Sequence, residues 1–202
     1  MIRAVIFDWG GVLMRTVDPG PRLAWDARLD LPPGSVNRLV FERAAWRRAL
    51  VGQISDVEFW ADLGARLNLA PDLLAEFQRD FWAGDRLDDD LVSLIRSLRL
   101  RYKTALLSNF TAQLRELVMQ HSLTDAFDFI VVSGEEGIVK PDAHIYRLAA
   151  ERLGVLPGEC LFIDDSEENI AGAQAAGMQT LRFAPGDATM AELRQMAALQ
   201  DE

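Results

Sequence analysis

The chain has 202 residues, half of them hydrophobic and 26% charged, enough to bury a full core. Its 21 basic and 31 acidic residues leave a formal net charge of −10, so neither nucleic acid nor an anionic membrane surface is an expected partner. The lone Cys160 excludes an intramolecular disulfide or a thiolate metal cluster, and no apolar run approaches the roughly 20 residues of a membrane span. The opening "MIRAVIFDWG" meets an acid and glycines too soon for a secretory signal, so a cytoplasmic protein is expected.

The first β-type run, "IRAVIF" at 2–7, stops on Asp8 and then meets Gly10 and Gly11. From about 15 to 88 the pattern is helical, punctuated by proline and glycine, with no strand-like run. It reads as several short helices carrying Trp25, Trp46, Trp60 and Trp82 as a small aromatic core. Arg43, Arg47 and Arg48 form the one basic cluster there, either a solvated helix face or a lining for an anion. Four more apolar runs follow: "KTALLS" (103–108), "DFIVVS" (128–133), "CLFID" (160–164) and "QTLRF" (179–183). They are near-continuous hydrophobics, as strands covered on both faces are. Helical stretches lie between them, with Gly154 and Gly177 placed as stops.

Alternating strands and helices predict an α/β fold, a Rossmann-like doubly wound parallel sheet. The expected division is a core of 1–14 and 89–202 with a small all-helical cap subdomain of 15–88 inserted after the first strand. In such sheets the site lies at the carboxyl ends of the strands. Asp8, Ser108 with Asn109, Lys140, and the pair Asp164 and Asp165 therefore gather at one edge.

Each has a structural explanation taken singly. Asp8 suits a turn, while Ser108, Asn109 and Thr111 suit helix caps. Pro141 suits the first turn of a helix, and Asp165-Ser166-Glu167-Glu168 fits a capping pattern. Capping does not explain two adjacent acids ending an apolar strand and aimed at a third. Clustered carboxylates call for a cation, and all-oxygen ligands suit Mg²⁺.

In order, "FDWGGVL", "LLSN", "KPD" and "FIDDSEEN" resemble the motifs of the haloacid dehalogenase superfamily of hydrolases. "GQISDVEFW" in the inserted region is similar to the group with a helical cap. The resemblance implies a phosphatase for a small phosphorylated metabolite, with Asp8 as the nucleophile that takes up phosphoryl. It implies that Ser108 and the Asn109 backbone donate to phosphate oxygens, and that Lys140 neutralises nucleophile and phosphoryl group. Asp8, Gly10 through its carbonyl, Asp165 and Asp164 would hold Mg²⁺, with Asn169 in support. Trp46 and Arg47 would meet the substrate from the cap, unless they are core and solvated respectively. The histidines His121 and His144 have no ligand-like spacing and read as structural.

Gly10 departs from the family pattern, whose phosphatases usually place there an aspartate that protonates the leaving oxygen. General acid–base catalysis is worth roughly 10²–10⁴-fold. Three readings follow: a phosphatase for good leaving groups such as sugar 1-phosphates, acyl phosphates or anhydrides; another proton source, with Asp18, Glu42 or water as candidates; or no phosphatase. The last covers a non-catalytic binding protein and a 2-haloacid dehalogenase. Oligomeric state is not readable from the sequence.

Overall fold

The structure, a computed structural model, describes residues 1–184 and 186–198. In chain order the elements are β1 (Ala4–Phe7), β2 (Met14–Thr16), α1 (Gly20–Arg28), α2 (Ser35–Phe41), α3 (Ala44–Leu50), α4 (Asp56–Arg66), α5 (Pro71–Trp82) and β3 (Asp85–Leu87). Then come α6 (Asp89–Leu98), β4 (Lys103–Ser108), α7 (Leu114–Gln120), β5 (Phe129–Val132), α8 (Ser133–Glu136) and α9 (Ala143–Leu153). A 3-10 turn (Pro157–Glu159) leads to β6 (Cys160–Asp164), α10 (Glu167–Ala175), β7 (Gln179–Arg182) and α11 (Asp187–Ala198).

Five strands form one parallel sheet in the order β5-β4-β1-β6-β7. Successive side chains of β1 point to opposite faces, and both faces are covered, so β1 is apolar throughout. Val5 and Phe7 join a core with Leu91 and Ile95 of α6, Val118 of α7 and Leu193 of α11. Ala4 and Ile6 face Ile145 and Tyr146 of α9 and Ala173 of α10. This is the expected doubly wound arrangement. Gly154 and Gly177 end their helices at φ 68° and 92°, a left-handed turn that costs glycine little.

Register fixes what sits at the carboxyl edge. Phe7 is level with Leu106 of β4 and Ile163 of β6, and the Asp8 N–H donates to the Ile163 carbonyl at 3.0 Å. The next positions, Asp8, Leu107–Ser108 and Asp164, therefore emerge side by side.

Between β2 and β3 lie five helices around their own core, in which Trp25, Trp46 and Trp60 are buried with Phe59, Phe77 and Phe81. Trp82 is only half-buried, unlike the other three tryptophans of this region. The stretch is also not wholly helical. Met14–Thr16 pairs antiparallel with Asp85–Leu87, a ribbon of three residues a side that shows no pattern along the chain because its partners are some 70 residues apart. Beyond the ribbon, Val17 and Asp18 both donate to the Gly84 carbonyl, at 3.0 and 3.2 Å. A Cβ on Gly84 would lie 1.8 Å from the Asp18 carbonyl oxygen, so only glycine lets the two linkers close.

The helices also touch the sheet's loops. Thr111 donates its hydroxyl to Asp56 of α4 at 2.6 Å, and Trp46 meets Phe110 edge-on at 5.9 Å. Ser55 and Glu58 close a capping box at the start of α4, which fixes where Asp56 stands.

Gly84→Ala should cost about 2 kcal/mol through forced displacement of the linkers. Gly158→Ala, whose added methyl would meet nothing nearer than 3.7 Å, should leave the urea midpoint almost unchanged. Equal midpoints for the two variants would contradict the crossing described here.

Candidate active site

Asp8 caps the central strand and is 7% exposed. Its Oδ1 accepts from the Trp9 backbone N–H at 2.7 Å and lies 2.8 Å from the Lys140 ammonium. Among the described residues both contacts fall on Oδ1. Lys140, itself 3% exposed, also donates to Asp164 Oδ2 at 2.7 Å. One buried ammonium thus ties the ends of β1 and β6 together.

The loop that carries Lys140 is held by Asn109. Its amide donates to the Lys140 carbonyl at 2.8 Å and its oxygen accepts the Lys140 N–H at 2.7 Å. Asn109 is therefore not a helix cap; α7 begins after Gln113, without a side-chain cap. Pro141, joined to Lys140 by a cis bond, precedes the cap of α9, which is Asp142, rather than lying in its first turn. Ser108 is buried at the end of β4, as the strand pattern implied.

The two acids after β6 differ sharply. Asp164 is fully buried and surrounded by donors: Lys140, the Ser166 N–H at 2.8 Å, and the Asn169 amide at 3.1 and 3.0 Å on its two oxygens. Asp165 is exposed, and it does not cap α10. That cap is Ser166, which accepts from the Asn169 N–H, so Asp165 is left for the crevice. Carboxylate oxygens of Asp8, Asp164 and Asp165 lie within 4.8 Å of one another.

Three carboxylates against one ammonium are not neutral. Burial pushes Asp8 up to about 7, against the pull of Lys140 and with a further push from Asp164. Burial, then Asp164, raises Asp165 as well. Such a set fits a divalent cation held by oxygen. Of the three, Asp164 already receives hydrogen bonds from Lys140, the Ser166 N–H and Asn169.

The paired glycines have separate reasons. Gly11 stands at φ +79°, and a Cβ there would lie 2.3 Å from Asp165 Oδ2, so the close approach requires glycine. A Cβ on Gly10 would meet no other atom within 4 Å. The backbone does not demand glycine at Gly10; its effect is to leave space.

Trp46 and Arg47 are not brought to this crevice. Trp46 is buried against Phe41 and Phe59 at 5.5 and 5.2 Å, and Arg47 is solvent-exposed, as is Arg48. The helical spacing that marked them does not say how α3 is rolled. Asp18 accepts from the Gly20 N–H at 2.8 Å in the turn before α1, and Glu42 lies at the end of α2 beside a separate cavity with Thr16 and Asp26. His144 turns back on Asp142 at 2.8 Å, a local contact. The residues that do face the site were missed: Trp9, Phe110 and Trp82, with Phe41 and Met14, wall a cavity of about 440 Å³ that also touches Gly10 and Asp165. The adjacency of Trp9 to Asp8 and of Phe110 to Asn109 was the available signal.

The family model described as haloacid dehalogenase-like hydrolase matches residues 2–177. The chain is 31% identical over 201 residues to the sesquiterpene phosphatase astK of Aspergillus oryzae, covering 96% of each. It is also 31% identical over 197 residues to the (S)-2-haloacid dehalogenase of Xanthobacter autotrophicus, covering 91% of this chain and 76% of that one. In fold it is similar to a haloacid dehalogenase family enzyme of Bacteroides thetaiotaomicron crystallised with magnesium and inorganic phosphate. That likeness has a TM-score of 0.80 at 22% identity and covers 95% of this chain and 99% of that one.

Proton and cation compete for the same oxygens. Asp8 in the folded protein sits above its ordinary 3.8, so the metal-free protein loses stability as pH rises from about 4 through about 7. Magnesium should therefore raise the melting temperature more at pH 8 than at pH 5. Differential scanning fluorimetry with magnesium and with EDTA reads this directly; an equal effect at both pH values would remove the cation from these oxygens.

Proposed function

The chain belongs to the haloacid dehalogenase-like hydrolases, and we propose that it is a Mg²⁺-dependent phosphatase acting on a small phosphorylated molecule. The observation that carries this reading is the Asp8–Lys140–Asp164 linkage beside the exposed Asp165, an anionic cluster short of positive charge at the mouth of a cavity. The phosphatase named among its relatives supports it. Residues 15–88 would act as the cap over that mouth, hinged where the ribbon and Gly84 meet.

In this reading Asp8 attacks phosphorus, the bond from phosphorus to the leaving oxygen breaks, and an aspartyl phosphate forms. Water then attacks that phosphorus, and phosphate departs with Asp8 regenerated. Lys140 neutralises charge on Asp8 and on the transferring group, while Ser108 and the Asn109 N–H hold phosphoryl oxygens. Asn109 and Asn169 act through others: the first sets the Lys140 loop and the second orients Asp164. Bound Mg²⁺ would screen the repulsion between the Asp8 carboxylate and the phosphate.

Gly10 supplies no proton to the leaving oxygen, so the substrates favoured are those with leaving groups of low pKa, such as acyl phosphates, anhydrides and sugar 1-phosphates. The space at Gly10 makes this testable without disturbing the fold. On aryl phosphates of graded leaving-group pKa, the rate should fall steeply as that pKa rises. Gly10→Asp should flatten the slope and speed the poorest leaving groups by on the order of 10²-fold. A flat dependence in the unmodified protein, with chemistry rate-limiting, would refute the missing acid.

Asp8→Asn should reduce Mg²⁺-dependent turnover by at least about 10³-fold while leaving the melting curve cooperative. Undiminished phosphate release in that variant would end the nucleophile assignment. Chloride release from 2-chloropropionate in EDTA, with no phosphate release from any ester, would replace the phosphatase reading by dehalogenation.

A further inference from the structure

The aromatic residues of the helical region divide into two sets. Phe59, Phe77, Phe81, Trp46 and Trp60 are buried and fill its core. Phe41, Trp82 and, from the loop after β4, Phe110 are only half-buried, and with Met14 and the nearly buried Trp9 they line one cavity beside Asp165. Aromatic surface left in water gives up the stabilisation that burial would provide. Here that surface is gathered in one place. It walls the 440 Å³ cavity beside Gly10 and Asp165 and continues into an adjoining hollow of about 260 Å³ bounded by Leu117.

Several polar groups in that wall are already engaged in local pairs. Asp85 accepts from Arg22 at 2.9 Å through both oxygens and from Thr16 at 2.7 Å. Arg22 also donates to the Phe81 carbonyl and to Asn37, each at 2.9 Å, and lies 4.3 Å over the Phe81 ring. Arg15 is paired with Asp88 at 2.5 Å. A hydroxyl-rich group entering the cavity would leave its water and find Asp85, Thr16 and most of the Arg22 donors already engaged. Gln113 and His121 stand only at the outer rim of the second hollow.

We propose that this aromatic cavity seats the organic group of the substrate, and that this group is apolar: a hydrocarbon or aromatic chain esterified to the phosphate that reaches Asp8. The proposal rests on the phosphatase reading for where the phosphate goes. It adds the specificity-determining surface of Trp9, Met14, Phe41, Trp82 and Phe110 in place of Trp46 and Arg47. Among the good leaving groups that the absence of an acid at Gly10 allows, it narrows the choice to aryl and acyl phosphates over sugar 1-phosphates. The cavity suits a ligand of small-molecule size, mostly apolar with one charged end.

Turnover of 4-n-alkylphenyl phosphates from ethyl to octyl, whose phenol leaving groups share nearly one pKa, tests the proposal in the presence of magnesium. KM should fall by about fourfold for each methylene buried, equivalent to about 0.8 kcal/mol, until the cavity is full. Calorimetric binding of the matching 4-n-alkylphenyl phosphonates, which are not hydrolysed, gives a second readout independent of chemistry. Phe110→Ala should collapse the octyl-to-ethyl ratio in both. Because Phe110 also touches Trp46, Gln113→Trp at the exposed rim is the complementary variant, and it should move the optimum to shorter chains. Turnover with KM and Kd independent of chain length would overturn the cavity assignment and spare the phosphatase. Length-dependent phosphonate binding without turnover of any ester would do the reverse.

Discussion

Everything at the carboxyl edge of the sheet depends on the Lys140 ammonium between Asp8 and Asp164. Two carboxylates buried to 7% and 0% exposure cannot sit side by side as anions without a cation of the same burial. Lys140 is that cation, at 2.8 and 2.7 Å. It arrives from a loop that neither strand controls, which is why Asn109 must grip that loop through both of its backbone groups. The ion triad and the Asn109 brace together join the ends of β1, β4 and β6 to the loop before α9.

That linkage is deliberately incomplete as an electrostatic unit. With Asp165 added, negative charge exceeds positive, and burial lifts Asp8 to about 7 instead of letting Lys140 depress it. A fully compensated triad would be inert. One that still lacks positive charge fits a divalent ion, which in the proposed phosphatase would let the site accept a phosphate dianion. The neighbouring glycines follow from the same crowding. Gly11 lets Asp165 come close, whereas Gly10 keeps the far side of Asp8 open, at the expense of any acid on that side.

The helical region serves the site through its position as much as through its residues. Its own aromatic core makes it rigid, the Gly84 crossing sets where it leaves the sheet, and Asp56 against Thr111 sets where it returns. Between those two supports Phe41 and Trp82 face Phe110 and Trp9 across the cavity. An apolar wall one residue from an anionic centre would separate two tasks in the proposed phosphatase: charge for the phosphate end, and carbon surface for the rest.

The chain order of apolar runs and helices determined the parallel sheet, its two covered faces and the gathering of Asp8, Ser108, Lys140, Asp164 and Asp165 at one edge. This was legible because strand ends are set by connectivity, and right-handed crossovers leave one arrangement for them. Asp164 and Asp165 are identical in the sequence; only the packed structure made one the saturated partner of Lys140 and Asn169 and the other the open ligand. Likewise Trp46 and Trp82 carry the same helical spacing, yet one is core and the other wall, because the roll of α3 and α5 depends on aromatic contacts far along the chain, Trp46 with Phe110 and Trp82 with Phe41. The β2–β3 ribbon belongs to the same class: two three-residue segments that neither propensity nor periodicity marks, paired because the fold brings them together. Local pattern determines which groups reach an edge. Which way each then faces is decided by packing against partners that local pattern does not reveal.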